Sequence, residues 1–201
     1  MSKLRLSDIE DFRAYEASRS QYLKFIIDLK KVRRVEIGPV VSMIFENRQT
    51  VRFQVQEMIR AEKILLDELV EKELEIYNPL IPEPGQLRAT LFVELTTQDD
   101  MKYWLPKLVG IEESAKFIFR DKEKVIGMVA CTVESAHEAQ LTRQDVTSAV
   151  HYVNFDLDPG QVEMFEKFET FVAIDHPSYS YELALHENTK AQLVCDLKNG
   201  G

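Results

Sequence analysis

Two charged side chains of opposite sign lie where helical periodicity predicts an apolar face. On the first long predicted helix, Arg19 falls in the stripe that contains Tyr15 and Tyr22, and on the second, Glu62 falls near the centre of the stripe. Because an unpaired buried charge is costly, we expect the two helices to pack face to face and Arg19 to meet Glu62. The pair either fixes the registry of the helices or, with the two tyrosines, lines a pocket for a charged ligand or a metal.

A second group of polar residues lies near the carboxyl end of the chain. Asp175 and His176 follow a short apolar segment, at a place where strands often present acid and base groups, and His186 is close in sequence. These three residues either form a polar site or belong to a turn set by the aspartate and the following proline. Two histidines and one aspartate are too few to assign a metal, so the sequence predicts no metal and no cofactor.

A run of basic residues ends the first predicted helix. Its charged members are Lys30, Lys31, Arg33 and Arg34. They either complement the negative end of the helix dipole or bind a phosphate or an acidic partner. No aromatic side chains alternate with them, so the pattern argues against nucleic-acid binding.

Glycine and cysteine usage exclude several common classes of protein. The chain of 201 residues has 7 glycines, and no two internal ones share a motif, which excludes the phosphate-binding loops of nucleotide enzymes. Only 2 cysteines occur, the amino terminus lacks the apolar core of a signal peptide, and no apolar run approaches the ~18 residues that span a bilayer. We therefore expect a cytoplasmic protein with no membrane span.

The net charge of −9 is unevenly distributed along the chain. Residues 1–60 carry a net charge of +4, whereas residues 61–125 carry −5 and residues 126–201 carry −8. The sequence therefore offers a basic amino-terminal surface and an acidic remainder, which are two different docking surfaces.

The elements that position these residues predict an α+β fold, in which a long two-helix hairpin packs with a mostly antiparallel β-sheet. We expect the first helix to be capped by Ser7 and to reach about Arg33, and the second to run from Asn47 or Thr50 to about Ile76. Residues 1–77 form the helical region with a small β-hairpin, residues 78–86 a proline-rich connector, and residues 87–201 a sheet-rich region. We expect the whole to be one compact unit.

Three stretches carry a family resemblance: Arg33 to Glu62, the proline-rich connector with the strand after it (YNPLIPEPGQLRATLFVE), and IDHPSY at residues 174–179. Over nearly its whole length the chain resembles an uncharacterised bacterial family of domains of unknown function. Members of that family are often encoded beside rubrerythrin and an iron–sulfur oxidoreductase resembling heterodisulfide reductase subunits, which implies a role in redox or peroxide-stress physiology. The family supplies no assigned catalytic residue, and two cysteines are too few to hold an iron–sulfur cluster.

These observations favour a cytoplasmic accessory or interaction protein that works with a redox partner, rather than an enzyme. The alternative is an enzyme or a small-ligand or metal-binding protein that uses the Arg19 and Glu62 region, or Asp175 with His176. A phosphate- or nucleic-acid-binding module based on the basic run is a third hypothesis. The long apolar helix stripe is also compatible with a homodimer.

Overall fold

The computed structural model describes residues 3–133 and 146–201 and shows an α+β fold with two antiparallel sheets. The helices are α1 (Phe12–Arg33), α2 (Arg48–Glu62), α3 (Asp67–Tyr77), α4 (Gln98–Trp104), α5 (Pro159–Lys167) and α6 (Glu187–Asn199). The strands are β1 (Arg34–Glu36), β2 (Val41–Phe45), β3 (Gln86–Val93), β4 (Ala115–Asp121), β5 (Lys124–Ala130), β6 (Thr132–Val133), β7 (Val150–Asp156), β8 (Glu169–His176) and β9 (Tyr179–Ala184). Within the described ranges, no helix combines the length and apolar composition that crossing a membrane requires.

The first two helices start at side chains that cap their free amides. Asp11 accepts hydrogen bonds from the amides of Arg13 and Ala14 and therefore caps α1. The predicted cap at Ser7, four residues earlier, is wrong. Asn47 accepts from the second and third amides of α2, as the sequence predicts. Between the two helices, β1 and β2 form the predicted hairpin.

The prediction of one continuous helix from Asn47 to Ile76 is wrong, because the chain leaves the helix at Lys63. That residue adopts the left-handed conformation, with φ of 55°. The chain then restarts as α3, whose first turn carries Asp67 and Glu68, where negative charge is favourable. The break turns Val70 and Leu74 back onto the apolar face of α2, so burial of these side chains outweighs helix propensity.

The strands form two layers. In sheet A the order is β1-β2-β3-β7-β6, and in sheet B it is β5-β4-β8-β9, with every pairing antiparallel. Sheet A combines β1 and β2, which precede the proline-rich connector, with strands that follow it. The main core lies between the inner faces of the two sheets and includes Phe45, Phe117 and Phe155, which contact one another.

A separate, smaller apolar cluster holds the helical part together. It joins one face of α2 to α3 and to the turn at residues 78–81, and its buried members are Leu4, Val51, Val55, Ile59, Val70, Leu74, Leu80 and Ile81. The molecule therefore has a sandwich core and a helical arm, by which we mean α1, α2 and α3.

Candidate functional site

The Arg19 guanidinium meets Glu57, not Glu62. Its Nε and one terminal nitrogen donate to the two oxygens of Glu57 at 2.8 and 2.7 Å, and the Tyr15 hydroxyl donates to the same carboxylate at 2.7 Å. The predicted Arg19–Glu62 pair is therefore wrong, and Glu62 is exposed at the end of α2. The geometry is that of an ion pair that fixes the registry of two helices, with Glu57 in the place predicted for Glu62.

The difference has a geometric cause on α2. The apolar stripe of this helix, which contains Val51, Val55 and Ile59, packs against α3 rather than against α1. The flank that contacts α1 carries Phe53 and Glu57, four residues apart and therefore on one side of the helix.

Tyr22 continues this contact between α1 and α2. Its ring packs edge-on against Phe53 and stacks with Phe25, and the Arg52 guanidinium lies 5.1 Å from its centroid. Hydrogen bonds to Arg19 and Tyr15 hold the pKa of Glu57 below its usual value, so this carboxylate stays ionised. Arg19 and Tyr15 thus direct their polar atoms at Glu57, while the Tyr22 ring packs edge-on against the Tyr15 ring.

Glu62 lies instead close enough to a second carboxylate, Glu73 of α3, to act on it electrostatically. Burial, with Glu62 adding a second negative charge, raises the pKa of Glu73, which is half-buried on α3. Glu73 lies on the same face of α3 as Leu69 and Ile76, four residues after one and three before the other. In the part of the chain that the structure describes, neither carboxylate takes part in an ion pair.

Large apolar side chains are exposed around these two carboxylates. Leu65 is 75% and Leu66 65% exposed, and the other members of this group are at least a third exposed. We call the group the α3 surface, and it consists of Leu65, Leu66, Leu69 and Ile76. Residues 61–77, which include all of it, carry six carboxylates against two lysines.

A groove of about 420 Å³ adjoins the α3 surface. Phe12 and Leu65 lie on its rim, and Ile59, Ile64 and Val70 are among its lining residues. The groove results from the break at residues 63–66, which separates α2 from α3. An apolar surface with a concave part and acidic neighbours has the features of a site for a protein segment rather than for a small polar substrate.

The structure does not bring Asp175, His176 and His186 together. Asp175 lies on the outer face of β8 and pairs with Lys116 at 2.6 Å, which lowers its pKa, whereas the adjacent His176 points to the inner face. His176 is held by the Val109 carbonyl and the Ser178 amide. His186 caps α6 and follows Ala184, the residue of β9 that pairs with Phe171. Phe171 lies five residues before His176, which is roughly 17 Å along β8.

The predicted anion patch is also dispersed. Arg33 is fully buried, Lys31 pairs with Asp28, and Arg34 pairs with Glu94 and lies over the ring of Phe92. Lys30 lies 5.7 Å from the ring of Phe53. The four residues therefore do not form one basic surface, because Arg33 points inward and Arg34 has already left the helix as the first residue of β1.

Sequence reasoning missed the partner of Arg33. Its guanidinium donates to the backbone carbonyls of Phe45 and Glu46 and forms an ion pair with Asp196 of α6. The Asp196 carboxylate is buried, and desolvation raises its pKa although Arg33 opposes the shift. Asp196 falls between Leu193 and Leu197 on the buried face of α6, which is the one signal that could have identified it.

A buried carboxylate beside His151 was also missed. Glu112 is 4% exposed, and one of its oxygens lies 3.7 Å from His151 Nδ1, while Thr147 and the Ser148 carbonyl contact His151 Nε2. The sequence indicates a satisfied core histidine at position 151, in phase with Val153, and His151 is indeed buried and hydrogen-bonded. Within residues 3–133 and 146–201, no three His, Cys, Asp or Glu side chains are grouped to hold a metal.

Comparisons with known proteins give a family and a fold. A family model described as "Protein of unknown function (DUF3501)" matches residues 3–197. The chain is similar to a crystal structure of a novel protein of unknown function from Burkholderia pseudomallei, with 28% identity and a TM-score of 0.87. That similarity covers 98% of this chain and 100% of the other. No curated protein matches the sequence.

Proposed function

The chain belongs to the DUF3501 family, whose function is unknown, and we propose that it is an accessory protein that docks a protein partner through the α3 surface. The observation that carries this proposal is the exposure of Leu65, Leu66, Leu69 and Ile76 beside two carboxylates that lack an ion-pair partner in the described residues. Exposed apolar groups that lie together, bordered by charge, are typical of protein–protein contact surfaces.

The exposed leucines support a docking role because the fold has no need of them. The smaller apolar cluster is complete without Leu65 and Leu69, since Val70 and Leu74 supply the buried face of α3. Each leucine that a partner covers would contribute the free energy of removing apolar surface from water, about 25 cal/mol per Å².

The charges beside the surface define the chemistry of the partner. Glu62 and Glu73 repel each other, and this repulsion adds to the burial that raises the pKa of Glu73. A lysine or arginine between them would remove the repulsion and reverse the shift. The partner segment we propose is an amphipathic helix with apolar side chains on one face and basic side chains at its borders.

The partner class we propose is a redox protein, and the setting is the cytoplasm. The family resemblance supports the first, because it implies a neighbourhood of rubrerythrin and an iron–sulfur oxidoreductase. The absence of a disulfide between the two cysteines supports the second, since Cys131 is buried and Cys195 exposed as free thiols.

Co-purification from the native host tests the docking role. The tagged wild-type chain is compared with the variant Leu65→Asp/Leu69→Asp and with Met128→Asp, which changes a side chain of similar exposure on sheet B. We expect wild type and Met128→Asp to retain the same redox protein and the α3 variant to lose it. Retention of the partner by all three proteins, or recovery of no partner by wild type, would contradict the proposal.

A deletion strain tests the physiological part separately. We expect loss of the gene to reduce resistance to peroxide, and wild type and Met128→Asp to restore it while Leu65→Asp/Leu69→Asp does not. Unchanged resistance in the deletion strain would rule out the peroxide role. It would not affect the result of the co-purification experiment, which tests docking separately.

A further inference from the structure

The last strand of sheet B has one edge that no described strand covers. β9 pairs only with β8, and all of its residues except Tyr179 are exposed. A strand edge of this kind is a template for pairing with another strand.

The hydrogen-bond pattern shows which backbone groups of β9 are free. The Leu185 amide donates to the Thr170 carbonyl of the neighbouring chain segment at 2.8 Å. Because bonded residues alternate along an antiparallel pair, Leu183 and Tyr181 also direct their backbone groups toward β8. The amides and carbonyls of Ser180, Glu182 and Ala184 therefore point to the open side.

The other long edge, at the opposite side of sheet B, is partly covered. Gln161 of α5 donates to the Met128 carbonyl of β5 at 3.5 Å, and Met164 lies so close to Gly127 that a Cβ there would come within 2.9 Å of its sulfur. Among the residues that the structure describes, no helix covers β9 in this way, and the strand contains neither a proline nor a bulge.

There is also space beside β9. A groove of about 870 Å³ separates it from β1, the edge strand of sheet A, and is lined by Val35, Leu183 and Leu185 among others. At one end of β9 the two layers touch, where Tyr179 and Tyr181 pack against Gly38. Beyond that contact the groove lies beside β9, and the residues of β9 from Ser180 to Ala184 are exposed.

We infer that β9 pairs with β9 of a second copy of this chain, in antiparallel register centred on Glu182. In that register Ser180 faces Ala184 of the other copy, and Glu182 faces its own counterpart. All three outward-facing residues then exchange both of their backbone hydrogen bonds with the second copy. The two four-stranded sheets become one continuous sheet of eight strands.

The side chains are complementary in the same register. Tyr181 of one copy faces Leu183 of the other across the two-fold axis, and these side chains are 43% and 42% exposed in the single chain. Such aromatic–aliphatic pairs stabilise antiparallel strands. The two Glu182 side chains would repel each other, but each is already held by Arg120 of its own chain at 2.8 and 2.7 Å. Their charges are therefore neutralised before the copies meet.

Cysteine cross-linking tests the register. In a Cys195→Ser background, Ser180→Cys and Ala184→Cys proteins are oxidised separately and as a mixture. We expect a disulfide-linked dimer only in the mixture, because directly opposed residues of a hydrogen-bonded pair lie about 5.5 Å apart, within disulfide range. Efficient cross-linking of either variant alone, or none in the mixture, would overturn this register.

Proline substitution tests the edge itself by analytical ultracentrifugation of the full chain. Glu182→Pro removes an amide that points away from β8, so the fold should survive while dimerisation is lost. Glu182→Ala removes the same side chain but keeps the amide, and we expect it to remain dimeric like wild type. A monomeric wild type, or a dimeric Glu182→Pro protein, would overturn the inference, and neither outcome bears on docking at the α3 surface.

Discussion

The helical arm and its junction with the sandwich each contain an arginine–carboxylate ion pair, but the two pairs differ in their exposure to water. In the arm, Arg19 and Glu57 pair with about a third of each side chain exposed, and leucines lie on the surface. At the junction between arm and sandwich, Arg33 and Asp196 pair with almost no exposure. Water compensates for much of what the first pair loses when it is broken, but it cannot reach the second. We therefore expect the arm to tolerate changes to its charges and the junction not to tolerate them.

The largest effect is expected at the buried pair. Arg33→Met keeps much of the side-chain volume but leaves Asp196 and two backbone carbonyls without their donor. We expect a loss of about 3–5 kcal/mol in the free energy of unfolding, measured by urea denaturation. Arg33→Met/Asp196→Leu should recover part of it, since no charge is then left stranded although the two carbonyls still lack their donor. A loss below about 1 kcal/mol in the single variant would show that the junction is as tolerant as the arm.

A smaller loss is expected at the partly exposed pair. Glu57→Gln should reduce the free energy of unfolding at neutral pH by about 1 kcal/mol or less. Because the folded pKa of Glu57 is lowered, its contribution is present above the ordinary glutamate value of 4.5 and is lost as the pH falls through the folded value. Wild type and variant should therefore converge in acid, and a difference that persists there would mean that packing, not charge, is affected.

Ionisation of Glu73 should change the free energy of unfolding in the opposite direction to ionisation of Glu57. Its folded pKa is raised, so the ionised form opposes folding, and stability is lost as the pH rises from 4.5 through the folded value. Glu73→Gln should stabilise the protein at neutral pH by up to about 0.5 kcal/mol, whereas Glu75→Gln, an exposed change on the same helix, should not. Thermal unfolding of wild type, Glu73→Gln and Glu75→Gln at neutral pH measures these differences. Destabilisation by Glu73→Gln would contradict the prediction.

The smallest effect is expected at an exposed leucine. Leu69→Ser should change the free energy of unfolding by no more than about 0.5 kcal/mol, because Leu69 lies outside the smaller core. Val70→Ser, the adjacent residue, removes a buried side chain and should cost clearly more. Equal losses in urea denaturation would mean that Leu69 supports the fold and is not reserved for a partner.

Much of the fold could be predicted from local patterns. The end of α1 at Arg33, the cap at Asn47 and the β1–β2 hairpin each depend on residues close in sequence. The break after Glu62 could not be predicted in this way. It depends on Val70 and Leu74 returning to α2, which is a tertiary preference that periodicity along one helix does not contain.

The candidate site was only partly predictable for a related reason. Periodicity identified Arg19 as a charge that needs a partner, but the choice between Glu57 and Glu62 depends on which side of α2 meets α1. Asp196, the partner of Arg33, is 163 residues away in sequence. No local pattern links residues at such a distance, so the ion pair could be found only once the fold was known.

The most direct test of the α3 surface is binding of a labelled amphipathic peptide with leucine on one face and lysine on the other, followed by fluorescence anisotropy. We expect Glu62→Gln/Glu73→Gln to bind at least about tenfold more weakly than wild type, a difference of roughly 1.4 kcal/mol. Glu123→Gln/Glu169→Gln, which removes one exposed carboxylate from the β4–β5 turn and one from β8, should bind like wild type. Equal weakening in both double variants would show that the peptide senses only the overall negative charge and would contradict the proposed docking surface.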